Sequence, residues 1–123
     1  MSILGASVGR ALEKRQTEQR RSELRRVSLE MLDDNELIDF KNNNTRNKIE
    51  RALNDIKDVG ELEEISKLIS ELTDNLNILI VSNLLNEERK REIQQKAIMK
   101  IQNKIKKIEE KLGVRVVIRN NIA

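Results

Sequence analysis

From Leu62 to Leu79 the apolar residues Leu62, Ile65, Ile69, Leu72, Leu76 and Leu79 recur at intervals of 3, 4, 3, 4 and 3. That spacing lays one apolar seam along one side of an α-helix, and such a helix is stable only when the seam is covered. A strand places alternate side chains on opposite faces and cannot use this pattern. A second series follows Ile93 and Ala97: Ile98, Ile101, Ile105, Ile108 and Leu112, at intervals of 3, 4, 3 and 4, closed by Gly113. Residues 61–112 therefore read as a coiled-coil region.

Two arrangements of 61–112 fit the residues. No Gly or Pro lies inside the stretch, which favours one long helix of about 75 Å. Continuing the first seam, however, lands on Asn83, Asn86 and Lys90, and Asn86 before Glu87 and Glu88 has the chemistry of a helix cap, which favours a hairpin. Between Ile78 and Leu85 only Ser82 and Asn83 are not apolar, so this run is expected to be buried on more than one side.

What covers the seams depends on the rest of the chain. Its 123 residues suit one domain or one extended element, and Phe40 is the sole aromatic. A core without aromatic bulk must be built from Leu, Ile and Val. Pro is absent and 37% of residues are charged, the profile of long helices. The expectation is an all-α fold of extended helices in which Leu62, Ile65, Ile69, Leu72, Leu76, Leu79, Ile98, Ile101, Ile105, Ile108 and Leu112 form an oligomer seam. The competing use of the same residues is a helical bundle core within one chain.

Residues 33–60 read as short helices. Asp33, Asp34 and Asn35 mark a break and a cap, opening a helix through Leu37, Ile38 and Phe40. Asn42, Asn43 and Asn44 signal a loop, with Thr45 capping a helix whose face is Ile49, Ala52, Leu53 and Ile56. Gly60 suits the left-handed position after that helix.

Residues 1–32 read as an Arg-rich helix or arm, with Ser7 as its cap. Six of the chain's twelve arginines fall between Arg10 and Arg26, a stretch of net charge +4. At 100° per residue Arg10, Lys14, Arg21 and Arg25 lie within about 60° of one another, a stripe suited to phosphates or to an acidic protein surface. Leu24, Val27 and Met31 form an apolar face beside it. The bland use of these charges is a solvated helix with local pairs such as Glu18–Arg21 and Glu23–Arg26.

The tail, residues 113–123, changes period. Val114, Val116 and Ile118 alternate with Arg115, Val117 and Arg119, as in a strand. A lone strand leaves its backbone groups unpaired, so it is expected to add to a sheet in another chain.

The same inventory excludes chemistry. With no His and no Cys there is no triad, no thiol nucleophile and no zinc or copper ligand set. No Gly-rich phosphate loop is present, and no carboxylate pair sits in an apolar setting suited to acid–base work. No catalytic residue, metal, cofactor or small-molecule substrate is expected. Neither a membrane span nor a signal peptide is legible, so the expected location is the cytoplasm or a particle assembled there.

The reading that follows is a non-enzymatic structural or assembly protein. It is expected to self-associate by its coil and to dock on other subunits through the Arg-rich helix and the tail, a chemistry that fits a component of a larger particle such as a virion. The alternative is a small nucleoid-type protein that dimerises by the coil and grips duplex DNA with Arg10, Lys14, Arg21 and Arg25. A helical adaptor or chaperone is the third.

Overall fold

The two heptad series pack against each other within a single chain. The computed structural model describes residues 2–40 and 44–119, with side chains from Lys14 onward, and in them four helices and no sheet. Helix α1 spans Ser2–Asp34, α2 Thr45–Asp55, α3 Val59–Ser82 and α4 Glu87–Leu112.

Residues 61–112 are thus a hairpin, and the single long helix is ruled out. The chain turns without Gly or Pro because short backbone bonds close the end of α3 and an Asn side chain caps the start of α4. Leu84 and Leu85 donate their N–H groups to Val81 and Ser82, each at 3.0 Å. Asn86 is extended, and its side chain accepts from Arg89 N at 3.0 Å, capping α4. Glu87 and Glu88 then occupy the first turn, where the helix dipole favours acids. Gln94 Nε2 donates to Ser82 Oγ at 3.0 Å, tying the two helices together behind the turn. At the other end Gly113 takes φ 65°, left-handed backbone that only glycine adopts without strain.

Local expectations fail in four places. Helix α1 begins at Ser2, ahead of Ser7, and runs to Asp34. Residues 35–40 form no helix: Asn35 Oδ1 accepts from Leu37 N at 3.0 Å, and the side chain offers the backbone a turn in place of a helical bond. Asn44, not Thr45, holds the position before α2, and makes no side-chain cap. Gly60 belongs to the first turn of α3, where its N–H donates to the Asp58 carboxylate at 3.1 Å; α2 has already ended at Asp55.

Helix α3 is the central element. Lys104–Glu71 and Lys111–Glu64 pair α4 to it in antiparallel register. Helix α1 runs parallel to α3 on another flank: Arg20 sits 3.7 Å from Glu63, and Gln16 and Thr17 share a groove with Val59. Leu24, Val27 and Met31 line the next stretch of that contact, so the apolar face read in the sequence does dock. Helix α2 and the tail close the remaining side. Leu32, Phe40, Ile49, Leu53, Ile65, Ile69, Leu72 and Ile108 are all but sealed from solvent there. Each such side chain stabilises the fold by about 1.5–3 kcal/mol.

The described part of the tail, residues 113–119, forms no strand of a sheet and docks on its own chain. Val116 N donates to Glu109 Oε2 at 2.9 Å. Arg119 N donates to Leu37 O at 2.7 Å, Asp39 N donates to Val117 O at 2.8 Å, and Ile38 and Ile118 form a single antiparallel bridge. Val116 is buried, and Val114 and Ile118 pack half-buried against the core.

This base has a limited height. With Arg20 opposite Glu63 and an equal rise per residue, Asp34 comes level with Asn77. Beyond that level α3 and α4 project as a two-helix tip.

Candidate functional site

The tip holds the most unusual surface of the molecule. Ile78, Ile80, Val81, Leu84, Ile98 and Met99 are exposed, Leu84 at 86% and Val81 at 59%. Among the described residues only one other large apolar side chain, Val117, is comparably exposed. Scattered exposed apolar residues need no explanation; a cluster at one end of a molecule does.

The cluster follows from the fold of α3. On the side away from the core α3 presents Glu63, Lys67, Ser70 and Asp74 while it runs through the base. The same stripe, continued at helical spacing, becomes Ile78 and Val81 in the tip, and Leu85 follows in the turn beyond Ser82. Ile78, Val81 and Leu85, together with Ile93 of α4 and the edges of Asp74, Asn77 and Ser82, line an open groove of about 380 Å³. Asp74 is the one formally charged group in that lining. Across α3 from the groove, Leu76 and Leu79 are buried, with Ala97 of α4 buried as well, and the Gln94–Ser82 bond ties the two helices.

The run 78–85 was expected to be buried on several sides. Only Leu79 and Ser82 are buried; Ile78, Ile80, Val81 and Leu84 are exposed, because α1 stops level with Asn77 and does not cover them. The sequence did carry the signal: apolar residues on every face of a helical turn, too many for one partner helix to cover.

The seam residues have their partners in the same chain. Leu62, Ile65, Ile69, Leu72, Leu76 and Leu79 of α3 are buried, as are Ile101, Ile108 and Leu112 of α4, with Ile105 half-buried beside them. Ile98 departs from this set and is 38% exposed.

The basic stripe is partly engaged. Arg25 Nε donates to Leu53 O at 2.9 Å and its Nη2 to Ile56 O at 2.6 Å. Arg21 Nε donates to Lys57 O at 2.6 Å. These two guanidiniums satisfy carbonyls left free where α2 ends, on the negative end of its dipole. Lys14 is exposed, and the side chain of Arg10 lies outside the described residues. The local pairs differ from those expected as well: Arg20 with Glu23 at 3.8 Å and Arg26 with Glu30 at 2.9 Å.

A second cationic face went unread in the sequence. Residues 93–108 hold five lysines and no acid. Lys104 pairs with Glu71 and draws that carboxyl below its ordinary range, by hydrogen bonding first and by charge second. Lys96, Lys100, Lys106 and Lys107 face solvent.

No cluster of metal-ligating side chains occurs among the described residues, and no described helix is long and apolar enough to cross a membrane. The chain matches no protein-family model, no curated protein and no solved structure with which it was compared.

Proposed function

We propose that the protein is a non-enzymatic structural protein that assembles by self-association, and that the hairpin tip carries the contact. One observation supports this above all: exposed large apolar residues are concentrated in the tip, between Ile78 and Met99. The intended occupant is a second copy. The groove residues Asp74, Ile78 and Val81 of α3 are spaced 4 and 3, the spacing of one helix face, and Leu85 extends the apolar surface into the turn. Around them residues 87–92 carry three acids and three bases, a rim with no net charge. A partner of strong charge selects a rim of the opposite sign, whereas a mixed rim suits its own copy. This reading moves self-association from the heptad seams, which are filled within the chain, to the opposite face of α3.

Sedimentation equilibrium over a wide concentration range tests it. The expected mass rises from 14.3 kDa toward a multiple of it. Val81→Asp combined with Leu84→Asp should hold the mass at the monomer while leaving helicity unchanged. An association that survives both changes removes the tip from the account.

A second reading rests on the lysine face of α4. Five lysines without an acid over residues 93–108 suit non-specific contact with duplex phosphates. With Arg21 and Arg25 engaged by α2, Lys96, Lys100, Lys106 and Lys107 are the cations best placed for it. Fluorescence anisotropy with duplex DNA across a salt series measures this; the absence of binding at low salt rules it out.

A further inference from the structure

The positive charge of the molecule is concentrated in one place. Residues 77–108 hold eight bases and three acids, a net of +5, against +3 for the whole chain. The remaining residues are therefore net negative. The same stretch holds the two most exposed large apolar side chains described, Leu84 and Met99, and neither lines the groove between α3 and α4.

Helix α4 sets Met99 among cations. At 100° per residue Met99 falls opposite Ile108, the side chain that α4 buries most deeply, and so stands on the outer face of the helix, 71% exposed. Lys106, Lys96 and Lys107 lie within about 80° of it and Lys100 at about 100°. All four lysines are exposed, and none has an ion-pair partner among the described residues. The nearest acid on that face, Glu92, is about 10 Å away along the axis.

We infer that the outer face of α4 docks on an anionic bilayer surface, with its lysines among the headgroups and Met99 dipping between them. This goes beyond the self-association reading and does not rest on it, since the groove stays open to a second copy. Two features have to be met by one partner, and they select it. Duplex phosphates take the lysines and leave Met99 in water. A folded protein needs a pocket shaped for Met99 and ringed with acids. A bilayer interface needs no such shaping: an unbranched thioether slips between headgroups, and the lysine stems lie along the apolar boundary while their ammonium groups reach the anions. Negative lipid surfaces attract such clusters of lysine, and the excess of positive charge in residues 77–108 turns this part of the molecule toward them.

Vesicle flotation tests the inference, with the full chain at concentrations where sedimentation gives the monomer. Phosphatidylcholine vesicles are compared with vesicles that also contain phosphatidylserine, across a salt series. Binding is expected only to the second kind and should weaken as salt rises. Lys96→Gln with Lys100→Gln should lower the partition about thirtyfold, roughly fivefold for each lysine. Met99→Gln should lower it at least about threefold and leave any duplex binding unchanged. These side chains are exposed, so helicity by circular dichroism should match the parent chain in each variant. The chain has no Trp, so Met99→Trp supplies a single reporter. Its emission should shift to the blue on anionic vesicles and be quenched by brominated acyl chains, whereas Arg51→Trp, on the exposed side of α2, should show neither effect. No binding to anionic vesicles at low salt overturns the inference, as does equal binding to neutral ones. Anionic binding that Met99→Gln leaves unchanged, with a Met99→Trp reporter that stays in water, is adsorption by charge alone and overturns it as well; tighter binding of duplex DNA by the same lysines would then give the face to the phosphate reading.

Discussion

The base and the tip are built from the same two helices and solve opposite problems. In the base α3 packs between α1 and α4, and α2, seated on those same two helices, and the tail close the core that its apolar side faces. Its apolar residues there, such as Ile69 and Leu72, are fully buried, and its one free stripe is polar. In the tip α3 has only α4. One partner covers one stripe, so Leu79 is buried while Ile78, Ile80 and Val81 stay in water. The difference teaches that apolar content alone does not make a core. Coverage depends on how far the neighbouring helices reach, and α1 ends before α3 does.

Substitutions can break or sharpen this contrast. The largest effect is expected in the base. Phe40 is 1% exposed and the only aromatic, so Phe40→Ala should cost about 3–5 kcal/mol in a denaturant melt. A loss under about 1 kcal/mol would mean that the layer beneath α2 is not a packed core. Next comes Arg25, which is half-buried with two carbonyl acceptors. Arg25→Ala should cost about 1.5–3 kcal/mol, and Arg25→Lys should recover only part, since a single ammonium cannot span both acceptors. If Arg25→Ala weakened DNA binding with stability unchanged, the guanidinium would belong to the phosphate reading instead.

Ser28 is smaller in effect and opposite in sign. Its hydroxyl is buried and has no hydrogen-bond partner among the described residues, so Ser28→Ala should stabilise the base by about 1 kcal/mol. In the tip, Leu84→Asp should change the stability of the monomer by less than about 0.5 kcal/mol, because the side chain is already solvated. A large loss there would show that the tip is covered within the chain. The smallest effect is the acid dependence of the α3–α4 contact. Folding lowers the pKa of Glu71, so the Lys104 pair adds stability at neutral pH that is lost as pH falls through the lowered value. Thermal melts on a descending pH series should show a shallower acid decline for Glu71→Gln than for the parent chain.

Much of the secondary structure was legible because it is local. The 3 and 4 spacing marked the apolar seams of α3 and α4, and Gly113 marked the end of α4, while Asn86 with its following acids offered a turn that the missing Gly and Pro argued against. Local chemistry also explains the errors. Asn35 drew the chain into a turn where apolar spacing suggested a helix, and Asp58 started α3 ahead of a glycine that looked like a terminus. The candidate sites were harder to read. Arg21 and Arg25 share a stripe with Lys14 on α1, and nothing in that stripe announces that the end of α2 lies against two of its members. The lysines of α4 are spread along a helix whose acids cluster at its ends, so a count over the whole segment hid their face.

By itself the sequence determined that this chain is helical, that its last long helix stops at Gly113, and that the heptad seams must be covered. Those properties follow from backbone hydrogen bonding and side-chain period, which act within a few residues. Only the tertiary structure decided that the seams cover each other within one chain, that the tail pairs with residues 37–39, and that an apolar surface is left at the tip. These depend on which helix lies beside which and how far each extends, and such contacts join residues tens of positions apart that no local pattern connects.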